Sequence, residues 1–180
     1  SETAKIRRSE QDQAAATLGA RAVRYLGLPD SRIQSSLDLR LQLARLIREL
    51  KPKKILTHAP VYNLKSIRFS HPDHLAVGQA VLAAVFPDAR NSHAFPETDL
   101  VTLEPHVVET VWMMGTPEPN TYLDITEQLD IKIEAVSCHK SQLNEFGDLR
   151  DFFYTWGREL AIDAGFPDNL LAEAFYVMNT

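Results

Sequence analysis

Alternating apolar and polar runs predict a chain in which short strands and longer helices follow one another. Leucine and isoleucine side chains recur at helical spacing up to Leu50, and either Ser35 or Ser36 is suited to begin that helix as its N-cap. Residues 54–58 form a short, nearly continuous apolar run, typical of a strand covered on both faces. This pairing of a helix with a buried strand indicates an α/β protein.

The remaining pattern predicts more elements of both kinds. Helices are expected at residues 6–18, from 71 to about 86, at 131–139 and at 151–164, and strands at 22–28, 107–114 and 122–125. We therefore expect a three-layer Rossmann-like fold, with a mostly parallel sheet flanked by helices and residues 1–180 in a single domain.

Composition narrows the class of partner. The chain has 180 residues, of which 44% are hydrophobic and 24% charged, which are globular proportions. A formal net charge of −5 argues against a nucleic-acid surface, which normally carries a basic patch. No run approaches the roughly 20 apolar residues that span a bilayer. Cys138 is the only cysteine, which excludes an intrachain disulfide and fits a cytoplasmic protein.

The sequence His71-Pro72-Asp73-His74 carries the strongest chemical signal. Residues three apart share one face of a helix, so both imidazoles can reach one small volume, where Asp73 can orient a ring or hold a proton. The motif follows the strand that ends at His58, and ligands of parallel α/β sheets bind beyond the carboxyl ends of strands. A metal site or an acid/base site is indicated. In the alternative interpretation, Asp73 caps the helix and the histidines are incidental; for His58, a structural role is favoured.

Six separate motifs follow one another along the chain: Arg7-Arg8-Ser9-Glu10, Leu26-Gly27-Leu28-Pro29-Asp30, His71-Pro72-Asp73-His74, Asp124-Ile125-Thr126, His139-Lys140-Ser141-Gln142 and Ala172-Glu173-Ala174-Phe175. In this order they resemble the motifs of the LmbE-like or PIG-L family of metal-dependent N-acetylglucosamine deacetylases.

The resemblance implies roles for individual residues. His74 would ligate Zn²⁺, or another divalent metal such as Fe²⁺, while His71 would stabilise the oxyanion or protonate the departing amine. Asp73 would orient His71, and Arg7 would contact substrate, with a salt bridge on the helix surface as the alternative for Arg7. For the segment that begins at His139, we expect a structural role.

The chain departs from the family pattern in two places. Members of the family open with an H-P-D-D-E motif that supplies the other two zinc ligands and the general base, and this motif is absent from the sequence. We expect that the first strands are missing and that an upstream segment carries half of the site. The second departure is a long loop at residues 61–70, where Lys65 and Arg68 suggest either a lid toward an anionic substrate or a plain insertion.

The expected function is metal-dependent hydrolysis of the N-acetyl group of an N-acetylglucosamine-containing substrate, releasing acetate and the free amine. The alternatives are an amidase acting on a non-sugar or thiol-conjugate amide, and a non-catalytic sugar-binding or scaffold protein. The expected partner is a small amino-sugar conjugate, without nucleic acid or a membrane span, and we expect a homo-oligomer.

Overall fold

The computed structural model of the protein describes residues 2–64, 67, 70–143 and 147–180. Its helices are α1 (Glu2–Thr17), α2 (Leu37–Leu50), α3 (Pro72–Ala83), α4 (Leu129–Ser137) and α5 (Leu149–Asp163). Its strands are β1 (Lys54–His58), β2 (Thr110–Met114), β3 (Thr121–Asp124) and β4 (Ala172–Asn179). Short helical turns occur at Ala84–Asp88, Asp99–Thr102, Thr126–Gln128 and Lys140–Gln142.

The chain divides into two compact units, each built from two separate segments. Unit 1 comprises Ser1–Gly27 and Tyr122–Glu173, and unit 2 comprises Leu28–Thr121 and Ala174–Thr180. The expectation of a single domain stays a prediction.

In unit 2, the strands lie side by side in the order β1-β2-β4. Strand β1 pairs with β2 in parallel, so that Lys54 lies opposite Thr110 and His58 lies opposite Met114. Strand β4 pairs with β2 in the antiparallel sense. The predicted α/β class is confirmed, and β4, which the sequence pattern did not predict, makes the sheet mixed.

The core of unit 2 forms where α2, α3 and the turn at Ala84–Asp88 pack together and α3 packs on β1. Its fully buried side chains include Ala44, Val85, Leu100, Val108 and Val111.

Arg48 lies within this core, although its side chain is charged. Its guanidinium group donates hydrogen bonds to five backbone carbonyl oxygens, those of Asp88, Ala89, Asn91, Leu100 and Leu103. Because these acceptors are 40 to 55 residues away in the sequence, Arg48 ties α2 to the irregular segment that precedes β2.

Local chemistry explains where the helices of unit 2 begin and end. The Ser36 hydroxyl accepts a hydrogen bond from the Leu39 N–H, which selects Ser36 as the N-cap of α2. The predicted helix from 71 to 86 ends earlier, at Ala83. Phe86 has φ −142° and ψ 121°, because a residue before proline is disfavoured from the helical region.

The predicted strand at residues 22–28 is wrong. This segment contains neither helix nor strand, and Gly27 adopts φ +72°. The Tyr25 hydroxyl instead donates to the Arg8 carbonyl and to an Asp12 carboxylate oxygen, so the segment is held against α1 by a side chain rather than by a strand ladder.

Unit 1 is built around three helices, with α1 packed on α4 and α4 on α5. Buried Glu10 on α1 accepts hydrogen bonds from the Ser141 N–H and hydroxyl, both at 2.7 Å. These contacts support the structural role expected for the segment from His139 to Gln142. None of the described helices is long and apolar enough to cross a membrane.

Candidate active site

The predicted motif lies at the N-terminus of α3, directly after the loop that follows β1. Pro72 occupies the first turn, where its missing N–H costs no helical hydrogen bond. The helix is capped by His71, whose Nδ1 accepts a hydrogen bond of 3.2 Å from the Asp73 N–H. The N-cap of α3 is therefore His71 and not Asp73, as the alternative interpretation had it.

This cap selects one tautomer of His71. A neutral imidazole has one acceptor nitrogen and one donor nitrogen, and Nδ1 is used here as the acceptor. The proton of the neutral ring therefore sits on Nε2, which leaves His71 with a hydrogen-bond donor that is not used by the cap.

His74 lies between two other imidazoles. Its ring centroid is 5.2 Å from that of His71, and the two planes are tilted by 47°. On the other side, His58 stacks on His74 with centroids 3.9 Å apart and planes within 7° of parallel. His58 thus belongs to the site, although the sequence favoured a structural role for it.

Gly78 allows this stack to form. It lies one helical turn after His74, and an added Cβ would come within 2.3 Å of the His58 carbonyl oxygen. Only a residue without a Cβ lets α3 approach the end of β1 this closely.

The environment favours neutral imidazoles. Burial, followed by the nearby His74, lowers the pKa of His58 from 6.5 to about 4. The pKa of His74 is also lowered, mainly by burial and then by His71, against a smaller opposing effect of Asp73. Neutral imidazole is the form that ligates a metal, so His74 is in a suitable state for the role predicted for it.

Asp73 is buried, and its carboxylate points to the segment before α2. One oxygen accepts the Ser31 N–H at 2.7 Å, and the other accepts the Ile33 N–H at 3.1 Å. The described contacts of this carboxylate are thus with backbone amides, while His71 contacts the Asp73 backbone. The catalytic role predicted for Asp73 stays a prediction.

These residues surround an open cleft of about 350 Å³ within unit 2. Its lining comprises Asp30, Ile33, His58, His71, Asp73, His74 and Val77. The sequence indicated His71, Asp73 and His74 by their motif, and it offered His58 only through its place at a strand end. The motif at residues 71–74 did not indicate that Asp30 and Ile33 also line the cleft.

The described residues fit a metal only in part. His74 offers a neutral nitrogen, but the part of the chain that the structure describes contains no group of three or more His, Cys, Asp or Glu side chains arranged to hold a metal ion. A catalytic zinc site needs about three protein ligands, so these residues do not complete one.

Two further predictions concern Arg7 and the loop at residues 61–70. Arg7 is exposed on α1 in unit 1, where its charge helps to lower the pKa of Glu10, after the larger effects of the hydrogen bonds from Ser141. Its predicted contact with substrate stays a prediction. In the loop at residues 61–70, Lys65 and Arg68 lie outside the described residues, so the lid also stays a prediction.

Comparison with known families supports the resemblance drawn from the motifs. The PIG-L family, described as GlcNAc-PI de-N-acetylase, matches residues 1–85 of the chain. The predicted resemblance is confirmed.

Three relatives illustrate the range of similarity. A diacetylchitobiose deacetylase of Thermococcus kodakarensis is 28% identical over 166 residues, which cover 91% of this chain and 59% of the relative. A 4-oxalmesaconate hydratase of Pseudomonas putida is 29% identical over 141 residues, covering 76% of this chain and 50% of the relative. The structure of an N,N'-diacetylchitobiose deacetylase from Pyrococcus horikoshii, bound to its inhibitor MPG, superposes with a TM-score of 0.77 at 27% identity, covering 98% of this chain and 64% of that one. The chain therefore spans less than two thirds of the length of each of these relatives.

Proposed function

We propose that this chain, whose residues 1–85 match the PIG-L family, carries the histidine part of a deacetylase site that hydrolyses the N-acetyl group of an N-acetylglucosamine-containing substrate. Water adds to the acetamide carbonyl and the C–N bond breaks, giving acetate and the free amine. The observation that carries the proposal is the arrangement of His71, His74 and His58 around one cleft at the end of β1.

His71 has the donor that this reaction requires. With Nδ1 accepting from the helix backbone, Nε2–H is the group that can stabilise negative charge on the carbonyl oxygen or pass a proton to the departing nitrogen. The N-terminus of α3 would also stabilise an oxyanion, because the N–H groups at the start of a helix carry partial positive charge.

His74 would be a ligand of a divalent metal, Zn²⁺ or Fe²⁺. When bound, such a metal supplies a Lewis acid and a water of lowered pKa. The other ligands and the general base would come from outside the described residues of this chain. His58, stacked on His74, would hold the ligand ring in one orientation.

The proposed substrate class is an acetamido sugar. The two diacetylchitobiose deacetylases favour an acetamido sugar. An amidase for non-sugar or thiol-conjugate amides and a non-catalytic sugar-binding or scaffold protein remain the alternatives. Assembly into a homo-oligomer and a cytoplasmic location belong to the same proposal.

An assay of acetate and free amine tests this function directly. The protein is supplied with Zn²⁺ or Fe²⁺ and incubated with N-acetylglucosamine, N,N'-diacetylchitobiose and a non-sugar acetamide, each with and without chelator. Equimolar release of acetate and amine from the sugars supports the proposal, whereas release from the non-sugar amide alone supports the amidase.

One control variant and two further outcomes complete the assay. His93→Ala changes an exposed histidine that is not part of the cleft lining and should retain full activity. Binding of the sugars without release of acetate would contradict catalysis and support the scaffold alternative. Addition of water to an unsaturated tricarboxylate, without acetate release, would instead indicate chemistry like that of the hydratase relative.

A further inference from the structure

We infer that Asp73 is a positioning residue that holds one wall of the histidine cleft in place, and that it acts on the binding of substrate rather than on His71. The inference rests on the proposed function, because it assigns a wall of that same site.

The contacts of the Asp73 carboxylate join two distant parts of unit 2. Its two oxygens accept the N–H groups of Ser31 and Ile33, which lie 42 and 40 residues away in the sequence. Asp73 is only 7% exposed, so both hydrogen bonds are shielded from competing water. Hydrogen bonds from backbone amides to a buried carboxylate are among the stronger ones in proteins.

The segment that Asp73 holds has no regular secondary structure to hold it otherwise. Between Leu28 and Ser36 the backbone forms neither helix nor strand, and Ser31 adopts a left-handed conformation with φ +60°. At the C-terminal end of the segment, the Ser36 hydroxyl caps α2. In the middle of the segment, the hydrogen bonds to the Asp73 carboxylate hold Ser31 and Ile33.

The same segment forms part of the cleft. Asp30 and Ile33 line it together with His58, His71 and His74. Asp73 therefore links the helix that carries the histidines to the wall of the cleft that the segment contributes. Loss of this attachment would move the wall while the histidines stay on α3.

The contacts of the Asp73 side chain do not favour a direct role in orienting His71. The orientation of the His71 ring is set by its Nδ1, which accepts from the backbone N–H of Asp73. That N–H is unchanged when the side chain is replaced. Asp73→Asn should therefore leave His71 in place and release the wall, because it replaces one of the two accepting oxygens with an NH₂ group, which cannot accept an N–H.

The test compares Asp73→Asn with Asp88→Asn. Asp88 is another buried carboxylate of unit 2 that accepts two hydrogen bonds from Arg40 and does not line the cleft, so it controls for general loss of stability. Amide hydrogen exchange of Ser31 and Ile33 is followed by NMR. KM and kcat are measured with N,N'-diacetylchitobiose in the presence of Zn²⁺.

In Asp73→Asn we expect exchange at Ser31 and Ile33 to become faster by about 10-fold or more, since opening of the segment costs less free energy. KM should rise by about 10-fold while kcat changes by less than about 3-fold. Asp88→Asn should leave the exchange of these two amides and KM unchanged.

Unchanged exchange in Asp73→Asn would overturn the inference, as would a fall in kcat of about 100-fold at constant KM, which is the signature of a group acting on the reaction itself. If the native protein releases no acetate, the proposed function fails, and the exchange data alone decide on the attachment. If the variant does not fold, exchange in the native protein decides: slow exchange at Ser31 and Ile33 supports the attachment, and exchange at the rate of an open loop overturns it.

Discussion

The imidazole rings of His58 and His74 stack face to face, with centroids 3.9 Å apart and planes within 7° of parallel. Two cationic rings at this distance would repel each other, and both are partly withdrawn from water. The stack therefore belongs to the neutral form of the site.

The unfolding free energy of the metal-free protein should therefore depend on the protonation of His58. Because burial and His74 lower the pKa of His58 to about 4 from its ordinary 6.5, the unfolded chain binds a proton over this interval that the folded chain does not. The contribution of His58 is fully present above pH 6.5 and is lost as the pH falls toward 4.

Chemical denaturation between pH 7 and pH 4 would measure this loss. The variant His58→Phe keeps an aromatic ring on His74 and should show a flatter dependence of unfolding free energy on pH. The control His93→Gln, at an exposed position, should leave the pH dependence of the unfolding free energy unchanged. An unchanged pH dependence in His58→Phe would contradict the lowered pKa of His58.

The two histidines of the motif should separate metal binding from catalysis. His74→Ala should lose bound Zn²⁺ and activity together, because it removes a ligand. His71→Ala should keep the metal and lose about 100- to 1000-fold in kcat, the range measured when an oxyanion donor is removed. Metal analysis and initial rates on the same preparations measure metal binding and catalysis separately. Stoichiometric Zn²⁺ in His74→Ala would refute the assignment of His74 as a ligand.

Gly78 should tolerate no side chain. An added Cβ would lie 2.3 Å from the His58 carbonyl oxygen, so Gly78→Ala forces α3 away from β1 and should cost about 1–3 kcal/mol. Gly147→Ala is the matched control, since its Cβ would meet no atom within 4 Å. Thermal unfolding of both variants measures the difference; equal stabilities would show that α3 moves without cost.

Arg48 should be essential for the stability of unit 2. Arg48→Met keeps most of the apolar stem but removes five hydrogen bonds to backbone carbonyl oxygens, three of which are buried, and we expect a loss of about 3 kcal/mol or more. Arg45→Met removes a pair with the largely exposed Asp99 and should cost less than about 1 kcal/mol. Denaturant titration of the two variants measures the difference in their loss of stability. Equal losses would show that water replaces the guanidinium group of Arg48.

Much of the fold and the centre of the site could be predicted from local sequence. The predicted bounds of β1 agree with the structure, and α2 begins beside one of the two serines proposed as its cap. The segment at residues 22–28 failed because its apolar side chains suggested a strand, whereas Tyr25 bonds to α1 instead. Strand β4 was missed, although its pairing with β2 is evident in three dimensions.

By itself the sequence determined the helices and strands whose signals lie within a few residues, and the motif that brings His71 and His74 to one helix N-terminus. Capping, side-chain periodicity and the exclusion of proline from helix interiors act over that same short range. Only the tertiary structure decided that His58 stacks on His74, that Gly78 permits the stack, and that Asp73 holds Ser31 and Ile33. These contacts join residues 16 to 42 positions apart, and which partners meet across such distances depends on the packing of α3 against β1 and the loop before α2.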